Sequence, residues 1–148
     1  MAKIIDGKQI AKEVRAEIAA ECAELKKKGI IPGLAVVIVG TDPASQVYVR
    51  NKKKACEEVG FRSEVFELPE ETTEEELLAL VKKLNEDVNI HGILVQLPLP
   101  EHLDDEVIIA NIDPKKDVDA FHPSNVGKIM IGNYDFLPCT PAGVMVLL

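Results

Sequence analysis

The chain has 148 residues, of which 47% are hydrophobic and 28% charged, and its formal net charge is −8. These totals are typical of one soluble globular domain, and the negative charge argues against nucleic acid as the main partner. The apolar run 34–39 is far too short to span a membrane, and three widely spaced cysteines form neither a disulfide framework nor a metal-binding pair. We therefore expect a soluble protein of the reducing cytoplasm.

The first half of the chain predicts helix, strand, helix and strand in that order. The first helix stops at Gly29, and the second starts at Asp42 and Pro43, a capping side chain followed by proline. Residues 34–39 predict a strand buried on both faces, and the alternating residues 61–68 predict another. The apolar residues at helical spacing in the first helix are Ile10, Val14, Ile18, Cys22 and Leu25.

The second half continues the alternation of helices and strands. Thr73 and Glu76 form a capping box at the start of a helix, residues 92–97 predict a buried strand, and residues 104–111 predict a short helix. Thr140 and Pro141 open a last helix. This order predicts an α/β fold, a three-layer domain with a mostly parallel sheet and helices on both faces. In such folds, ligands bind at the carboxyl ends of the strands.

The helix that starts at Pro43 places one lysine on its apolar side. At roughly 100° per residue, Lys52 lies on the inner stripe, whereas Arg50 and Lys53 point outward. An unpaired ammonium in the interior costs several kcal/mol. Either the lysine stem packs while the amine reaches solvent, or the amine works with Tyr48 one turn earlier, with a lowered pKa that permits proton transfer. The inner stripe contains Ser45, Tyr48, Lys52, Ala55, Cys56 and Val59.

Other polar residues are weaker candidates for a site. Gln96 interrupts an apolar strand at its carboxyl end, although a buried amide satisfied by backbone groups is the alternative. Asp117 and Asp119 could bind a cation or hold amino groups of a substrate, but without a histidine cluster we expect no metal. Cys139 could be a nucleophile with His122 as its base, although a structural thiol is the favoured interpretation.

A Tyr-x-x-x-Lys pair is also found in short-chain dehydrogenases. In those enzymes a glycine-rich turn precedes the pair by a long stretch, whereas only 47 residues precede Tyr48 here. The sequence contains no Gly-x-Gly-x-x-Gly motif and no P-loop. This alternative is therefore excluded.

Four segments occur together in a characteristic order. They are Tyr48-Val49-Arg50-Asn51-Lys52, Gly92 to Pro100, Lys116 to Asp119 with Phe121-His122-Pro123, and Pro138-Cys139-Thr140-Pro141. Together they resemble the bifunctional methylenetetrahydrofolate dehydrogenase/methenyltetrahydrofolate cyclohydrolase family over nearly all of the chain. The resemblance implies NAD(P)-dependent oxidation of 5,10-methylenetetrahydrofolate to 5,10-methenyltetrahydrofolate and hydrolysis of the latter to 10-formyltetrahydrofolate. A non-catalytic folate-binding module is the alternative.

The resemblance also implies roles for individual residues. Lys52 corresponds to the catalytic lysine, and Tyr48 to the tyrosine that stacks on or hydrogen-bonds the folate. Gln96 corresponds to the glutamine that tunes the lysine, and Asp119 to the aspartate that holds the pterin ring. The implied substrate-binding residues are Ser45, Tyr48, Lys52, Val95, Gln96, Leu97, Asp119 and Pro141.

The resemblance further implies how the chain is organised. Residues 1–140 are expected to form a folate-binding catalytic domain, and residues 141–148 to begin a helix leading to a dinucleotide-binding domain absent from this chain. That missing domain would hold most of the NADP or NAD, and the whole protein is expected to be a homodimer that binds tetrahydrofolate derivatives. Ala120 stands where many members carry glycine, so the loop after Asp119 is expected to differ if it requires a positive φ.

Overall fold

A computed structural model of the chain describes residues 4–148; residues 1–3, at the start of the predicted catalytic domain, lie outside the described part. Three strands alternate with helices before the chain ends in three further helices. The elements are α1 (Gly7–Lys27), β1 (Gly33–Val39), α2 (Pro43–Val59), β2 (Arg62–Leu68), α3 (Glu74–Glu86), β3 (Gly92–Val95), α4 (Asp105–Ala110), α5 (Pro123–Met130) and α6 (Cys139–Leu147).

The three strands form one parallel sheet in the order β2-β1-β3. The register places Gly33 opposite Arg62 and Leu34 opposite Gly92. Because side chains alternate along a strand, consecutive residues of β1 face two different cores. The predicted α/β architecture with helices on both faces of the sheet is confirmed.

The larger core lies between the sheet and helices α3 and α4, where Val37 packs with Leu77 and Ile108. The smaller core lies on the opposite face, where Val36 and Leu94 pack with Val49 of α2. Burial of these apolar side chains stabilises the domain by roughly 1.5–3 kcal/mol each. The smaller core is the floor on which the candidate site is built.

Helix α2 has the start and stop that the sequence predicts. The Asp42 carboxylate accepts the backbone N–H of Ser45 at 2.7 Å, and Gly60 ends the helix in the left-handed conformation with φ 90°. Its inner face is rotated slightly from the predicted stripe, because Val49 is buried whereas Tyr48 is 57% exposed. The tyrosine therefore lies at the rim of the inner face.

Some boundaries differ from the sequence-based prediction. Strand β3 ends at Val95, two residues earlier than expected. Pro98, three residues later, has no N–H to donate to a neighbouring strand, and the Leu97–Pro98 bond is cis. Helix α5 was not predicted. Its first residue is Pro123, and its cap is the His122 ring, which accepts the N–H of Ser124 at 3.0 Å. Within residues 4–148, the helices are all too short or too polar to cross a bilayer.

Candidate active site

A cavity of about 550 Å³ lies on the α2 face of the sheet. One wall is α2, a second is the turn around residues 118–121, and a third is the start of α6. The apolar floor includes Leu34 and Leu94, whose side chains belong to the smaller core face. The lining residues from the walls are Tyr48, Lys52, Ala55, Cys56, Val118, Asp119, Phe121, Pro138, Cys139, Thr140 and Pro141, with Phe61 beside the floor.

Lys52 projects into this cavity, as its position on the helix predicts. Its Nζ lies 3.4 Å from Gln96 Oε1 and 4.7 Å from the centroid of the Tyr48 ring, a distance at which a cation and an aromatic face attract each other. Burial lowers the pKa of the Lys52 ammonium below its ordinary value, while the carboxylate of Asp119 acts in the opposite direction with a smaller effect. Desolvation therefore outweighs the charge pairing, and the amine can lose its proton more readily than a lysine in water.

Gln96 is held in one orientation by its neighbours. It directly follows β3, and its backbone N–H still donates to Val37 O at 2.8 Å. The side-chain Nε2 donates to Leu97 O at 2.7 Å, which leaves Oε1 to accept from Lys52. The amide is thus only partly satisfied by the backbone, and its carbonyl end faces the amine.

Asp119 enters the cavity from the turn that follows residue 117. Burial raises the pKa of its carboxyl group, and the nearby charge of Asp117 raises it further, while Lys52 lowers it. The environment therefore disfavours charge on both Asp119 and Lys52, although the two groups attract each other. A cavity of this kind suits a ligand that brings its own hydrogen-bond donors to the carboxylate.

The turn has a left-handed residue directly after Asp119. Ala120 adopts φ 57° and is fully buried. The expectation of an altered loop was conditional on a positive φ at this position; φ is positive here, and the alanine adopts the left-handed conformation itself. Such a conformation costs an L-residue about 1–2 kcal/mol, which the surrounding contacts must offset.

Four of the eight implied substrate-binding residues lie outside the lining of the cavity: Ser45, Val95, Gln96 and Leu97. Gln96 is nevertheless connected to the site, because its Oε1 lies 3.4 Å from Lys52 Nζ. Val95 packs in the larger core with Leu77, because it points to the opposite face of the sheet from Gln96. Ser45 is buried at the start of α2, and Leu97 is half-buried with its carbonyl engaged by the Gln96 amide. The other four line the cavity: Tyr48, Lys52, Asp119 and Pro141.

Sequence reasoning missed four apolar residues of the site, Leu34, Phe61, Leu94 and Phe121, although a signal for Leu94 was present. Leu94 lies two residues before Gln96, and residues two apart on a strand share a face, so its position on the floor follows from the alternation. Phe121 lies in an irregular turn and is about half exposed. No periodic pattern marks it.

The arrangement does not support Cys139 as a nucleophile. Burial raises the pKa of its thiol, and the charge of Asp119 raises it further, so the thiolate is disfavoured. The His122 ring is engaged elsewhere, with Nδ1 accepting from Ser124 N and Nε2 3.2 Å from Ala110 O. Among residues 4–148, no group of three or more His, Cys, Asp or Glu side chains is placed to hold a metal ion.

Comparison with known proteins identifies a matching family model and close relatives of this chain. Residues 5–119 match the family model described as "Tetrahydrofolate dehydrogenase/cyclohydrolase, catalytic domain". The chain is 60% identical over 147 residues to the "Bifunctional protein FolD" of Acetivibrio thermocellus, covering 99% of this chain and 52% of that protein. It is 62% identical over 148 residues to the protein of the same name from Geotalea daltonii, covering 100% and 53%.

Solved structures show the same similarity. A "Bifunctional Enzyme FolD-Methylenetetrahydrofolate Dehydrogenase/Cyclohydrolase" from Campylobacter jejuni is 51% identical with a TM-score of 0.96, covering 99% of this chain and 52% of that one. The Trypanosoma brucei N5,N10-methylenetetrahydrofolate dehydrogenase-cyclohydrolase, complexed with NADP cofactor and inhibitor, is 43% identical with a TM-score of 0.94, covering 99% and 51%. The chain thus spans about half the length of the relatives it matches.

Proposed function

Because the chain belongs to the tetrahydrofolate dehydrogenase/cyclohydrolase family, we propose that it is the folate-binding part of a bifunctional enzyme. The enzyme oxidises 5,10-methylenetetrahydrofolate with NAD(P)+ and hydrolyses the resulting 5,10-methenyltetrahydrofolate to 10-formyltetrahydrofolate. The observation that carries the proposal is the amine of Lys52, which lies in an apolar cavity between the Tyr48 ring and the Gln96 carbonyl.

The hydrolysis needs a group that accepts a proton and then returns one. As water attacks the methenyl carbon, neutral Lys52 takes a proton from it and becomes an ammonium ion. The tetrahedral adduct then breaks its bond to N5 as its hydroxyl group loses a proton to solvent, and the ammonium protonates the departing nitrogen. The lowered pKa of Lys52 favours the neutral form that begins this cycle.

The neighbours of the lysine have supporting roles in this proposal. The Tyr48 ring and the Gln96 carbonyl both stabilise the ammonium form, and together they fix where the amine lies. Asp119 accepts hydrogen bonds from the amino-substituted pterin ring, whose donors replace the hydration that burial removed from the carboxylate. The apolar floor and Pro141 bury the rest of the folate.

In the described part of the chain, the helix start that follows β1 does not suit a dinucleotide pyrophosphate. In dinucleotide-binding folds the pyrophosphate lies at a helix N-terminus after a glycine-rich turn. Here the helix after β1 begins at Asp42, whose carboxylate already accepts the N–H of Ser45 and places negative charge where a phosphate would lie. We therefore propose that residues 1–140 are the catalytic domain, that residues 141–148 lead to a second domain, and that this second domain binds NADP or NAD.

The experiment compares hydrolysis of 5,10-methenyltetrahydrofolate by the gene product containing this sequence and by its Lys52→Met variant. Loss of an acid–base group is expected to lower kcat by about 10²- to 10⁴-fold. The matched control is Lys53→Met, because Lys53 lines a separate groove beside Arg50 and Glu67. This variant is expected to keep the wild-type rate.

The same comparison separates the proposal from its rival, a non-catalytic folate-binding module. In the rival, Lys52 only pairs with the bound folate, so the gene product would bind tetrahydrofolate without accelerating hydrolysis. Equal rates for wild type and Lys52→Met would remove the catalytic role. A large loss in both lysine variants would point to general damage.

Two broader predictions accompany the proposal. The three free cysteines, Cys22, Cys56 and Cys139, favour a reducing compartment, and we propose the cytoplasm. We also propose that the whole protein is a homodimer. Cell fractionation and the mass of the native gene product in solution test these two points.

A further inference from the structure

Asp117 is a buried carboxylate outside the catalytic group just described. It is 2% exposed, and within residues 4–148 no cationic side chain lies within ion-pairing distance of it. Its Oδ2 accepts two hydrogen bonds, from the backbone N–H of His122 at 2.8 Å and from Asn125 Nδ2 at 2.8 Å. Burying a carboxylate costs several kcal/mol unless such bonds offset the lost hydration. The two bonds to Oδ2 therefore show which groups this carboxylate fixes in place: the backbone of His122 and the side chain of Asn125.

The bond to His122 closes the turn that carries the pterin-binding aspartate. Between Asp117 and His122 lie four residues, of which Val118, Asp119 and Phe121 line the cavity. The remaining one is the left-handed residue 120, held additionally by its N–H to Asp117 O at 3.3 Å. The Asp117 side chain thus spans the base of the turn, and everything the turn presents to the cavity lies between its two ends.

The segment before the turn is anchored independently of Asp117. Lys116 O accepts the N–H of Ile93 at 2.7 Å, which attaches the segment to β3. Lys116 Nζ donates to three carbonyl oxygens at the end of α3, those of Leu84 at 3.0 Å, Asn85 at 2.7 Å and Asp87 at 2.8 Å. Loss of the Asp117 carboxylate would therefore free the turn while its stem stays in place.

The far side of the turn is anchored through Asn125, which is 2% exposed. Its Nδ2 bridges Asp117 Oδ2 and Pro114 O, the latter at 2.9 Å, and so connects the first turn of α5 to the chain before the turn. With the stem on β3 and the exit on α5, Asp117 joins the two directly, beside the bond from Asn125 to Pro114 O.

We propose that Asp117 is a positioning residue: by bonding the backbone of His122 and the side chain of Asn125, it holds the 117–122 turn in the shape that directs Asp119 at Lys52 and the bound folate. This inference rests on the proposed function for the identity of the ligand. The shape of the turn itself does not depend on it.

The test is a double-mutant cycle with Asp117→Ala, Asp119→Ala and the double variant. Calorimetric titration with tetrahydrofolate is expected to show a roughly 10- to 100-fold weaker Kd for each single variant, since a charged hydrogen bond is lost in both. The double variant is expected to bind no more weakly than Asp119→Ala alone, because Asp117 acts through Asp119. Independent, multiplying losses would overturn the proposal.

A second readout needs no folate. The carboxylate of Asp119 raises the pKa of Lys52, so NMR titration of the lysine should show a lower pKa in Asp119→Ala. Asp117→Ala is expected to give the same direction of change, and the double variant no further change. An unaltered Lys52 titration in Asp117→Ala would overturn the proposal. If wild type fails to bind tetrahydrofolate while this cycle holds, the proposed function fails and the positioning role stands.

Two variants separate positioning from general stability. Asn85→Ala removes comparable tethers in the neighbouring loop, to Asp113 N and Asn111 O at 2.8 Å each, and is expected to lower Tm without changing the Kd. Asp117→Asn keeps an oxygen that can accept both bonds and is expected to restore most of the affinity lost in Asp117→Ala. Where Asp117→Ala is too unstable to titrate, Asn125→Ala replaces it, with a smaller loss and the same dependence on Asp119. A loss of affinity in Asn85→Ala as large as in Asp117→Ala would overturn the proposal.

Discussion

The left-handed conformation of Ala120 makes a quantitative prediction about substitutions there. Ala120→Gly relieves backbone strain of about 1–2 kcal/mol. It also removes a buried methyl group, at about 0.8 kcal/mol, and gives the unfolded chain extra freedom, at about 0.4–1 kcal/mol. Gain and loss nearly cancel, so the free energy of unfolding is expected to change by less than about 1 kcal/mol.

Ala120→Val gives the opposite expectation, because a β-branched side chain is far less tolerant of φ 57° and the site is already fully buried. Strain and overpacking together are expected to cost at least about 2 kcal/mol. Urea unfolding followed by circular dichroism measures both variants against wild type. On heating, Ala120→Gly is expected to shift Tm by less than about 4 °C and Ala120→Val to lower it by at least about 4 °C. A valine variant as stable as wild type would refute the left-handed turn.

Three further predictions concern the cavity. The rate of methenyltetrahydrofolate hydrolysis should rise with pH as neutral Lys52 forms, through a pKa below the ordinary 10.5. Because the Asp119 charge raises this pKa, Asp119→Asn should move the rise to lower pH. A pH-independent rate would contradict the role of Lys52 as the proton acceptor. Gly92→Ala would place a Cβ 2.6 Å from Val118 Cγ1. It is expected to lower the free energy of unfolding in urea by about 1–3 kcal/mol and to weaken tetrahydrofolate binding. Unchanged stability would contradict the close approach of these two residues. Cys139→Ala should keep the hydrolysis rate within a few-fold, and a loss of 10²-fold or more would restore the thiol as a candidate.

The fold could be predicted from the sequence because its signals are local. The run 34–39 is apolar throughout and is buried in the centre of the sheet, and the Thr73–Glu76 capping box forms as expected. Helix α5 escaped prediction since histidine is an unusual cap, and its other start signal was one proline. The end of β3 was misplaced because apolar composition alone does not show where hydrogen bonding to a neighbouring strand stops.

The site could be predicted only in part from local patterns. Helical periodicity predicted that Lys52 faces the interior, and it also placed Tyr48 deeper than the rim position it occupies. Alternation from Gln96 places Val95 on the opposite face of the sheet, so its assignment to the site came from the family resemblance and not from the strand pattern. The proposed positioning of Asp119 depends on hydrogen bonds that Asp117 accepts from groups later in the chain, and no pattern within the loop reveals them.

The topology of the sheet has a consequence for how the protein is made. Lys52 on α2 is synthesised 44 residues before its partner Gln96. The central strand β1 can pair with β3 only once β3, which directly precedes Gln96, has been synthesised. At about 5–20 residues per second, the interval is about 2 to 9 s on the ribosome. During this interval one edge of β1 has no neighbouring strand. We therefore expect nascent chains stalled before residue 92 to be readily cleaved by protease, and chains stalled well past residue 119 to be protected. Equal protection at both lengths would show that the cavity forms without the pairing of β1 with β3.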